Sequence, residues 1–458
     1  MQPTPERLLC RLGLLGVLGA LSGAPAFAQT EASAALDRQV DDAFRLVQQQ
    51  PQDAGLWSRY AQLLIQAGNY EGGIAAMERL LLNPDPSPEL RLDIALLYYR
   101  LASYAMAESI VRAALADERL PADKRRVAET LLADTLRRNQ RSQLAGSFSF
   151  GLRHQSNPGY RTDSGLVWSG GLLGPVAPDQ RPQGDTDVNL GLKLHHAYDL
   201  DRQNSAAIVS TLGAYLVDYR GSSGSDLVAN PTKPYDLQVL ELTSGLQFKP
   251  LPVEASNLTL RPHLILSNVT AQGHQFLRNA GLGLDLGWRP SERTLVEVVL
   301  DGQHRDFASR IDVVNADQLG GRLWGLRARV VRELAPGQQL SGEYGWRRNS
   351  TARDYYDYSS HELRLTYALT YAAPFGGSYW TTAFTLGALR RAYGGPDPTI
   401  TAADTRRDRE WRAGVNQTVQ LTPVWYLLFG LEQVRNDANL PNFRYKNTTL
   451  SGAVLRTF

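Results

Sequence analysis

Residues 448–458, TTLSGAVLRTF, alternate between two sets of side chains along the whole segment. Counting back from Phe458, the first set contains Arg456, Val454, Gly452 and Leu450. A period of two residues indicates a β-strand with one more apolar face. Because the ends of soluble chains usually fray, a strand that runs up to Phe458 must be held to its neighbours along its length.

The same alternation extends back to about Ser142 and predicts fourteen strands. They are FSFGL, VNLGLKLHHAY, AAIVSTLGAYLVDY, LQVLELTSGLQF, LTLRPHLILSNV, AGLGLDLGW, TLVEVVLDGQHRDF, GRLWGLRARVV, LSGEYGWRR, ELRLTYALTY, WTTAFTLGALRR, EWRAGVNQTVQL, VWYLLFGLEQV and the segment at Phe458. Such strands can form a soluble sandwich or a membrane barrel.

Charged side chains in mid-strand favour the barrel. They lie on the less apolar face, and the set is Lys193, Asp285, Glu297, Asp301, Arg327, Arg329, Glu343, Arg364 and Arg412. In a wide barrel these residues line a water-filled interior, while Leu and Val face lipid. We therefore expect a 14-stranded antiparallel transmembrane β-barrel over residues 142–458.

Connection lengths and aromatic residues favour the same fold. Short turns such as RPSER and TP alternate with long loops such as residues 155–185, as in outer-membrane proteins. Aromatic residues collect beside the short turns, where they predict an interfacial girdle, and they are Tyr198, Phe248, Trp288, Tyr371, Trp380, Trp425 and Phe458. An open sheet edge cannot exist in lipid, so the final strand must pair with the first.

Residues 1–28 have the features of a secretory signal peptide. Arg7 and Arg11 flank a basic start, an apolar run from Leu12 to Leu21 follows, and Ala26-Phe27-Ala28 is a small-x-small cleavage pattern. Cys10, the single cysteine, lies in this segment, so no internal disulfide is possible. We expect the protein in the outer membrane of a Gram-negative cell, with the helical domain described next in the periplasm.

Residues 29–141 have a helical period. Shifting the chain by 34 residues superposes Tyr70 on Tyr104 and Gly68 on Ala102, which is the period of a tetratricopeptide-like α-helical repeat. A small helical bundle with accidental spacing is the alternative. If the repeat is real, its concave face is a groove for peptide or protein, which the Tyr98-Tyr99 pair is placed to line, although one of the two is expected in the core.

The residues give no pattern typical of catalysis. Net charge is +2, from 48 basic and 46 acidic residues, which argues against nucleic acid as the main partner. Ser267 and His263 lie on one strand face but roughly 13 Å apart along the backbone. We predict no catalytic, cofactor-binding or metal-binding residue, no cofactor, and no enzymatic activity.

This order of domains resembles the surface lipoprotein assembly modulator (Slam) family. The likeness covers nearly all of residues 29–458 and includes GSFSFGLRHQSNPGY, where an aromatic first strand runs into Ser156-Asn157-Pro158. The helical domain is short for the family, with only two clear repeats. Phe458 on an alternating strand also resembles the C-terminal recognition signal of outer-membrane barrels, from which Arg456, on a face that should be apolar, departs. The resemblance implies translocation of surface lipoproteins or secreted soluble proteins across the outer membrane. It implies such cargo, outer-membrane lipid and the barrel-assembly machinery as partners.

Two alternatives stay open at this point. An exopolysaccharide-export porin also joins tetratricopeptide repeats to a barrel, usually with much longer repeat arrays. A passive outer-membrane channel would leave the helical domain without a role. The sequence names neither the cargo nor the route, which is either the lumen or a lateral seam.

Overall fold

The computed structural model describes residues 29–200, 205–221, 236–251, 257–309, 315–374 and 378–458. The predicted signal peptide, residues 1–28, lies outside the described residues. The chain divides into two compact units, one containing the helices and one containing nearly all of the barrel.

Six α-helices follow one another in the first unit. They are α1 (Gln29–Gln49), α2 (Ala54–Gln66), α3 (Tyr70–Leu81), α4 (Pro88–Arg100), α5 (Tyr104–Ala116) and α6 (Ala122–Arg138). The starts of α2, α4 and α6 are 34 residues apart (88 − 54 = 34; 122 − 88 = 34), as are those of α3 and α5 (104 − 70 = 34). The helix pairs therefore recur at the predicted period, while the tetratricopeptide likeness stays a prediction.

Equivalent turns within the two helix pairs have the same backbone shape. Gly68 and Ala102 end α2 and α4 in the left-handed region, with φ of 79° and 58°. This conformation closes a helix end, and a side chain in it costs free energy, which glycine avoids. Ala102 therefore keeps the turn geometry although its sequence lacks the glycine.

The helical core forms two buried clusters. One surrounds Ile94 and Ala61, and the other surrounds Ala95 and Val111. Tyr98 packs on the first and donates to Glu78 at 2.6 Å, while Tyr99 packs on the second and donates to Asp134. Both tyrosines of the pair expected to line a groove are thus held by neighbouring helices.

The second unit is a closed barrel of fourteen antiparallel strands, as predicted. The strands of the chain are β1 (Ser142–Gln155), β2 (Leu166–Ser169), β3 (Leu172–Pro175), β4 (Asp185–Asp199), β5 (Ala206–Tyr219), β6 (Leu237–Phe248), β7 (Leu258–Ala271), β8 (His274–Ser291), β9 (Thr294–Phe307), β10 (Gly321–Ala335), β11 (Gln338–Thr351), β12 (Tyr358–Ala372), β13 (Tyr379–Tyr393), β14 (Arg407–Gln420), β15 (Trp425–Ala438) and β16 (Tyr445–Thr457). All form the barrel except β2 and β3, which pair as a separate hairpin within the first long loop.

The barrel closes between β1 and β16. Their register runs from Ser147 opposite Thr457 to Gln155 opposite Thr449, and β1 also neighbours β4. No barrel strand is left with an unpaired edge among the described residues, which satisfies the backbone in a medium without water. The sequence had predicted this pairing of the last strand with the first.

Side chains alternate between lipid and lumen as the period of two requires. Leu363, Leu386 and Leu431 are exposed on the exterior, while the residues next to them turn inward. Each predicted girdle residue lies on an outward position of its strand. Arg456 also points outward, and its guanidinium lies 5.6 Å from the ring centre of Trp425, which accounts for a cation on this face.

Connections are longer on the whole at one barrel end than at the other. Short turns such as residues 336–337 lie at the end that contains Ser142 and Thr457, here called the turn end. The opposite end, here called the loop end, carries the longest connections, residues 156–184, 220–236, 308–320 and 394–406, together with two of six residues, 352–357 and 439–444. There β7 and β8 are instead joined only by Gln272 and Gly273, both at positive φ, as a two-residue hairpin turn requires.

Among the helices of the described residues, none combines the length and the apolarity needed to cross a membrane.

Candidate functional site in the barrel interior

Ion pairs link neighbouring strands inside the barrel. Arg329 on β10 lies opposite Glu297 on β9, with 3.1 Å between Nη1 and Oε2. Arg364 on β12 contacts Glu343 on β11 at 3.8 Å and Glu362 on its own strand at 2.7 Å. The charges predicted to line the lumen are therefore inward and largely compensated by their neighbours.

A second group of pairs continues around the wall. Arg412 on β14 contacts Glu410 at 2.9 Å and Glu432 on β15 at 3.6 Å, and the Tyr445 hydroxyl donates to Glu410 at 2.7 Å. Pairs so close leave little net field in the lumen, since each guanidinium is matched by a carboxylate. The charges along this part of the wall therefore largely balance.

His263 and Ser267 both face the lumen but have different partners. His263 Nδ1 lies 3.7 Å from Asp285 and its ring covers Gly283, where a Cβ would lie 2.4 Å from Nε2. Ser267 accepts a hydrogen bond from Asn279 at 2.9 Å. A nucleophile must contact its base, so the structure does not bring these two residues together as a catalytic pair.

A buried polar group joins β1, β4 and β5. Asp187 has a fully buried side chain and accepts from Arg153 Nε at 2.8 Å. Gln155, next to it, donates to the Tyr219 hydroxyl at 3.0 Å and lies 3.4 Å from Asp187. A buried charge without its partner is strongly destabilising, so this group holds β1, β4 and β5 in register near the loop end.

An apolar cluster occupies the interior of β5–β9 at the loop end. Its members are Val217, Tyr219, Leu237, Val239, Val269, Ala271, Phe276, Leu277, Phe307 and Leu319, all nearly inaccessible to solvent. Phe276 and Phe307 meet edge to face with ring centres 5.4 Å apart. A water-filled lumen does not continue along this wall to the mouth, which differs from the fully polar interior that strand alternation alone predicts.

The first long loop is folded and fastened on the other side of the mouth. The Asn157 side chain donates to Arg161 O at 2.8 Å and Lys446 O at 3.1 Å, and its N–H donates to Asn447 at 2.9 Å. Tyr160 then places its ring 5.0 Å from that of Tyr445, an inward residue of β16. The Ser156-Asn157-Pro158 entry of the sequence is thus the point where the chain turns into the barrel mouth.

The β2–β3 hairpin of this loop is held by two other loops. Trp168 exchanges two hydrogen bonds with Asn442, at 2.9 and 2.8 Å, and packs on a cluster that includes Ile400 and Phe443. Gly170 and Gly171 donate to Thr399 and Ile400 at 2.8 and 2.9 Å. The cluster of β5–β9 and this hairpin anchorage lie at roughly opposite parts of the strand order, so both sides of the mouth are occupied.

Sequence reasoning missed the apolar cluster and the hairpin. The signal for the hairpin was present, since LVWSGGLL is an apolar pair of segments around Gly-Gly, a common hairpin turn. The cluster had no such signal. A single apolar residue at an inward position only interrupts the alternation of its strand, and the sequence does not show which inward residues of other strands it contacts. Within the described residues, no group of three or more His, Cys, Asp or Glu is arranged to hold a metal ion.

No family model matches this chain, and no curated protein matches it. Solved structures similar to it include a bacterial polysaccharide outer membrane secretin, at 9% identity and TM-score 0.35 over 68% of this chain and 98% of that one. An outer membrane channel from Pseudomonas putida F1 gives 14% identity and TM-score 0.33, covering 68% and 96%. Pseudomonas putida OprB gives 8% and 0.39, covering 72% and 97%. At these TM-scores the likenesses carry no argument about function.

Together these features define a transmembrane barrel whose interior is polar in the middle and occupied by folded protein at one mouth. The first loop and the apolar cluster both lie at the loop-end mouth, where hydrogen bonds and side-chain packing hold them.

Proposed function

We propose that this protein is an outer-membrane translocon that moves surface lipoproteins or secreted soluble proteins across the outer membrane. The observation that supports the proposal is the folded protein packed at the loop-end mouth, namely the first loop and the apolar cluster. A passive channel needs a permanently open path, whereas a translocon must stay sealed until cargo engages it. The loops there are held by a few hydrogen bonds, such as the two between Trp168 and Asn442, and by a small apolar cluster. Contacts of this number can be displaced when cargo binds.

The helical unit supports the same proposal. Its helices recur at a 34-residue period, and repeats of this kind present a continuous face to polypeptide ligands. In the proposed topology this unit lies in the periplasm and receives cargo there. Only residues 139–141 separate α6 from β1, and a tether so short gives an effective concentration of order millimolar. Weak capture is then sufficient for delivery.

Removing the helical unit tests the proposal. A barrel that starts at Ser142 behind a signal peptide should reach the outer membrane folded, while cargo accumulates in the periplasm. A point variant makes the same test in a full-length chain: Val111→Asp places a charge at a fully buried position, and Glu129→Gln on the exposed side of α6 is the control. Surface proteins are labelled on intact cells with an impermeant biotin reagent and identified by mass spectrometry.

Each outcome separates the candidate functions. Loss of one or a few surface proteins in the truncated and Val111→Asp strains, but not in the Glu129→Gln strain, supports translocation. Unchanged export by the truncated barrel would show that the helices are not the receiver. Loss of surface polysaccharide with an unchanged surface proteome would favour the exopolysaccharide-export porin instead. Altered uptake of small solutes alone would favour the passive channel.

A further inference from the structure

Three basic side chains stand next to one another on the outside of the barrel. His361 on β12 lies opposite Arg390 on β13, and Arg390 lies opposite Arg409 on β14. All three are exposed and point outward. Leu363 and Trp411, two residues after His361 and Arg409 on the same strand faces, are exposed as well. His361 Nδ1 lies 2.8 Å from the Tyr344 hydroxyl. Arg390 and Arg409 are like charges directly across the sheet, an arrangement that an external anion would stabilise.

The row lies where the apolar exterior ends. On β13 ten positions separate outward Trp380 from outward Arg390 (390 − 380 = 10), which is about 33 Å along the strand. At a tilt near 40° this corresponds to about 25 Å across the membrane, the height of the apolar band of such barrels. Tyr371 and Trp380 therefore mark one interface, and His361 and Arg390 mark the interface at the loop end.

More basic residues extend the row in both directions at this end. Arg322 lies opposite His304, and Arg435 lies opposite Lys446, all of them outward. Lys446 is itself paired with Asp163 at 3.9 Å. Acidic residues are fewer on this surface. Asp437 lies opposite Arg409 but bonds to Arg435 Nε at 2.8 Å, so it compensates only part of the charge. The inward arginines, in contrast, are mostly paired with carboxylates.

We propose that the row His361–Arg390–Arg409 binds the phosphate groups of lipid A, the phosphorylated lipid of the outer leaflet. A guanidinium forms two parallel hydrogen bonds to a phosphate, and two arginines across one strand pair can clasp a phosphomonoester. Outward position at the edge of the apolar band brings a lipid headgroup, rather than a soluble anion, to these side chains. The exposed ring of Trp411 below the row lies at the depth of the acyl–headgroup boundary. This proposal rests on the placement of the barrel in the outer membrane with its loop end facing outward, and not on the nature of its cargo.

The test uses the purified full chain in nanodiscs of phosphatidylethanolamine with a minor fraction of bisphosphorylated lipid A. Retained lipid A is counted by native mass spectrometry after transfer to detergent. Replacing both arginines, Arg390→Gln with Arg409→Gln, should lower retention about 25-fold, because each basic side chain near a charged headgroup contributes roughly a factor of five. Arg390→Lys with Arg409→Lys should keep most of the retention.

The matched control is Arg327→Gln with Arg347→Gln, which removes the same charge from exposed inward positions on β10 and β11. An equal fall in this control, or no fall in the outward pair, would overturn the proposal. Folding of the outward double variant is measured by gel mobility before and after boiling. If it does not fold, the wild-type protein is tested with dephosphorylated lipid A instead. Undiminished retention of that lipid overturns the proposal, and lost retention supports it. Tight binding of inorganic pyrophosphate without lipid would show a soluble phosphate site and sink the lipid assignment. Binding of lipid A stands or falls independently of the export experiment.

Discussion

Gly146 and Phe458 exchange two backbone hydrogen bonds across the barrel seam, at 2.8 and 3.0 Å. The Phe458 ring lies over Gly146, where an added Cβ would be 2.5 Å from Cζ and 3.0 Å from Leu194 on β4. The absence of a side chain at Gly146 therefore leaves room for the ring across the β1–β16 seam. Phe458, at the turn end of β16, therefore takes part in the pairing of β16 with β1 that closes the barrel.

Gly146→Ala should displace the Phe458 ring and impair barrel closure. The expected result is a smaller fraction of folded protein after refolding into detergent, measured by gel mobility before and after boiling. Gly452→Ala on β16 is the control, because its added Cβ meets Phe429 only at an ordinary 3.8 Å. If the two variants fold equally well, the packing of Phe458 does not matter for closure.

Leu386→Arg should cost roughly 2–4 kcal/mol of barrel stability, as expected for a cation near the bilayer midplane. Leu386 is 63% exposed on the lipid side of β13. The neighbouring Thr385→Arg points inward and should cost about 1 kcal/mol, because it loses the hydroxyl contact with Thr366 at 3.2 Å. Urea titration in phospholipid vesicles measures both, and equal losses would argue against lipid contact at Leu386.

Single cysteines should report opposite sides of the membrane. Residues 29–458 contain no cysteine, so the background is clear. Leu172→Cys, at the exposed β2–β3 hairpin, should react with an impermeant thiol reagent on intact cells. Glu292→Cys, in the short turn between β8 and β9, should react only after the outer membrane is permeabilised. The reverse pattern would place the helical unit outside the cell.

Removal of the hairpin should enlarge the channel. Gly165 and Val176 are joined by a backbone hydrogen bond of 3.1 Å, so residues 166–175 can be replaced by a short Gly-Ser link without moving the ends. Without the contacts to the neighbouring loops, the first loop should leave the mouth, and single-channel conductance in planar bilayers should rise. Leu172→Ser, which keeps the hairpin backbone, should conduct like wild type. Unchanged conductance in the deletion would mean that the apolar cluster alone closes the mouth.

Asp134→Asn should destabilise the helical unit at neutral pH. Hydrogen bonds from Tyr99 and then from Arg138 lower the pKa of the Asp134 carboxyl to about 2. A lowered pKa means that the stabilisation is present above the unfolded value near 3.9 and is lost as pH falls through about 2. Loss of helical circular dichroism on heating the full chain should therefore differ between wild type and variant at pH 7 and converge in strong acid. Glu129→Gln is the control. An equal loss of stability in this variant would show that the Tyr99–Asp134 contact does not specifically stabilise the helical unit.

The sequence by itself determined the strand count, the face of each strand and the helical period. These follow from local rules, because a period of two assigns each side chain to lipid or lumen, and helices that start 34 residues apart repeat the same turns. The girdle residues and the inward charges were identified in this way. The pairing of Phe458 with the first strand followed from the requirement for a closed barrel.

Only the tertiary structure decided which residues meet. Periodicity assigns each residue to a face but gives no register between strands. The sequence therefore could not show that Arg390 lies opposite Arg409, a repulsive pairing, while Arg329 lies opposite Glu297, an attractive one. The apolar cluster at Phe276 and Phe307 and the anchorage of Trp168 by Asn442 likewise join segments far apart in sequence. Such contacts depend on shear, strand order and loop packing, which are properties of the assembled barrel rather than of any one strand.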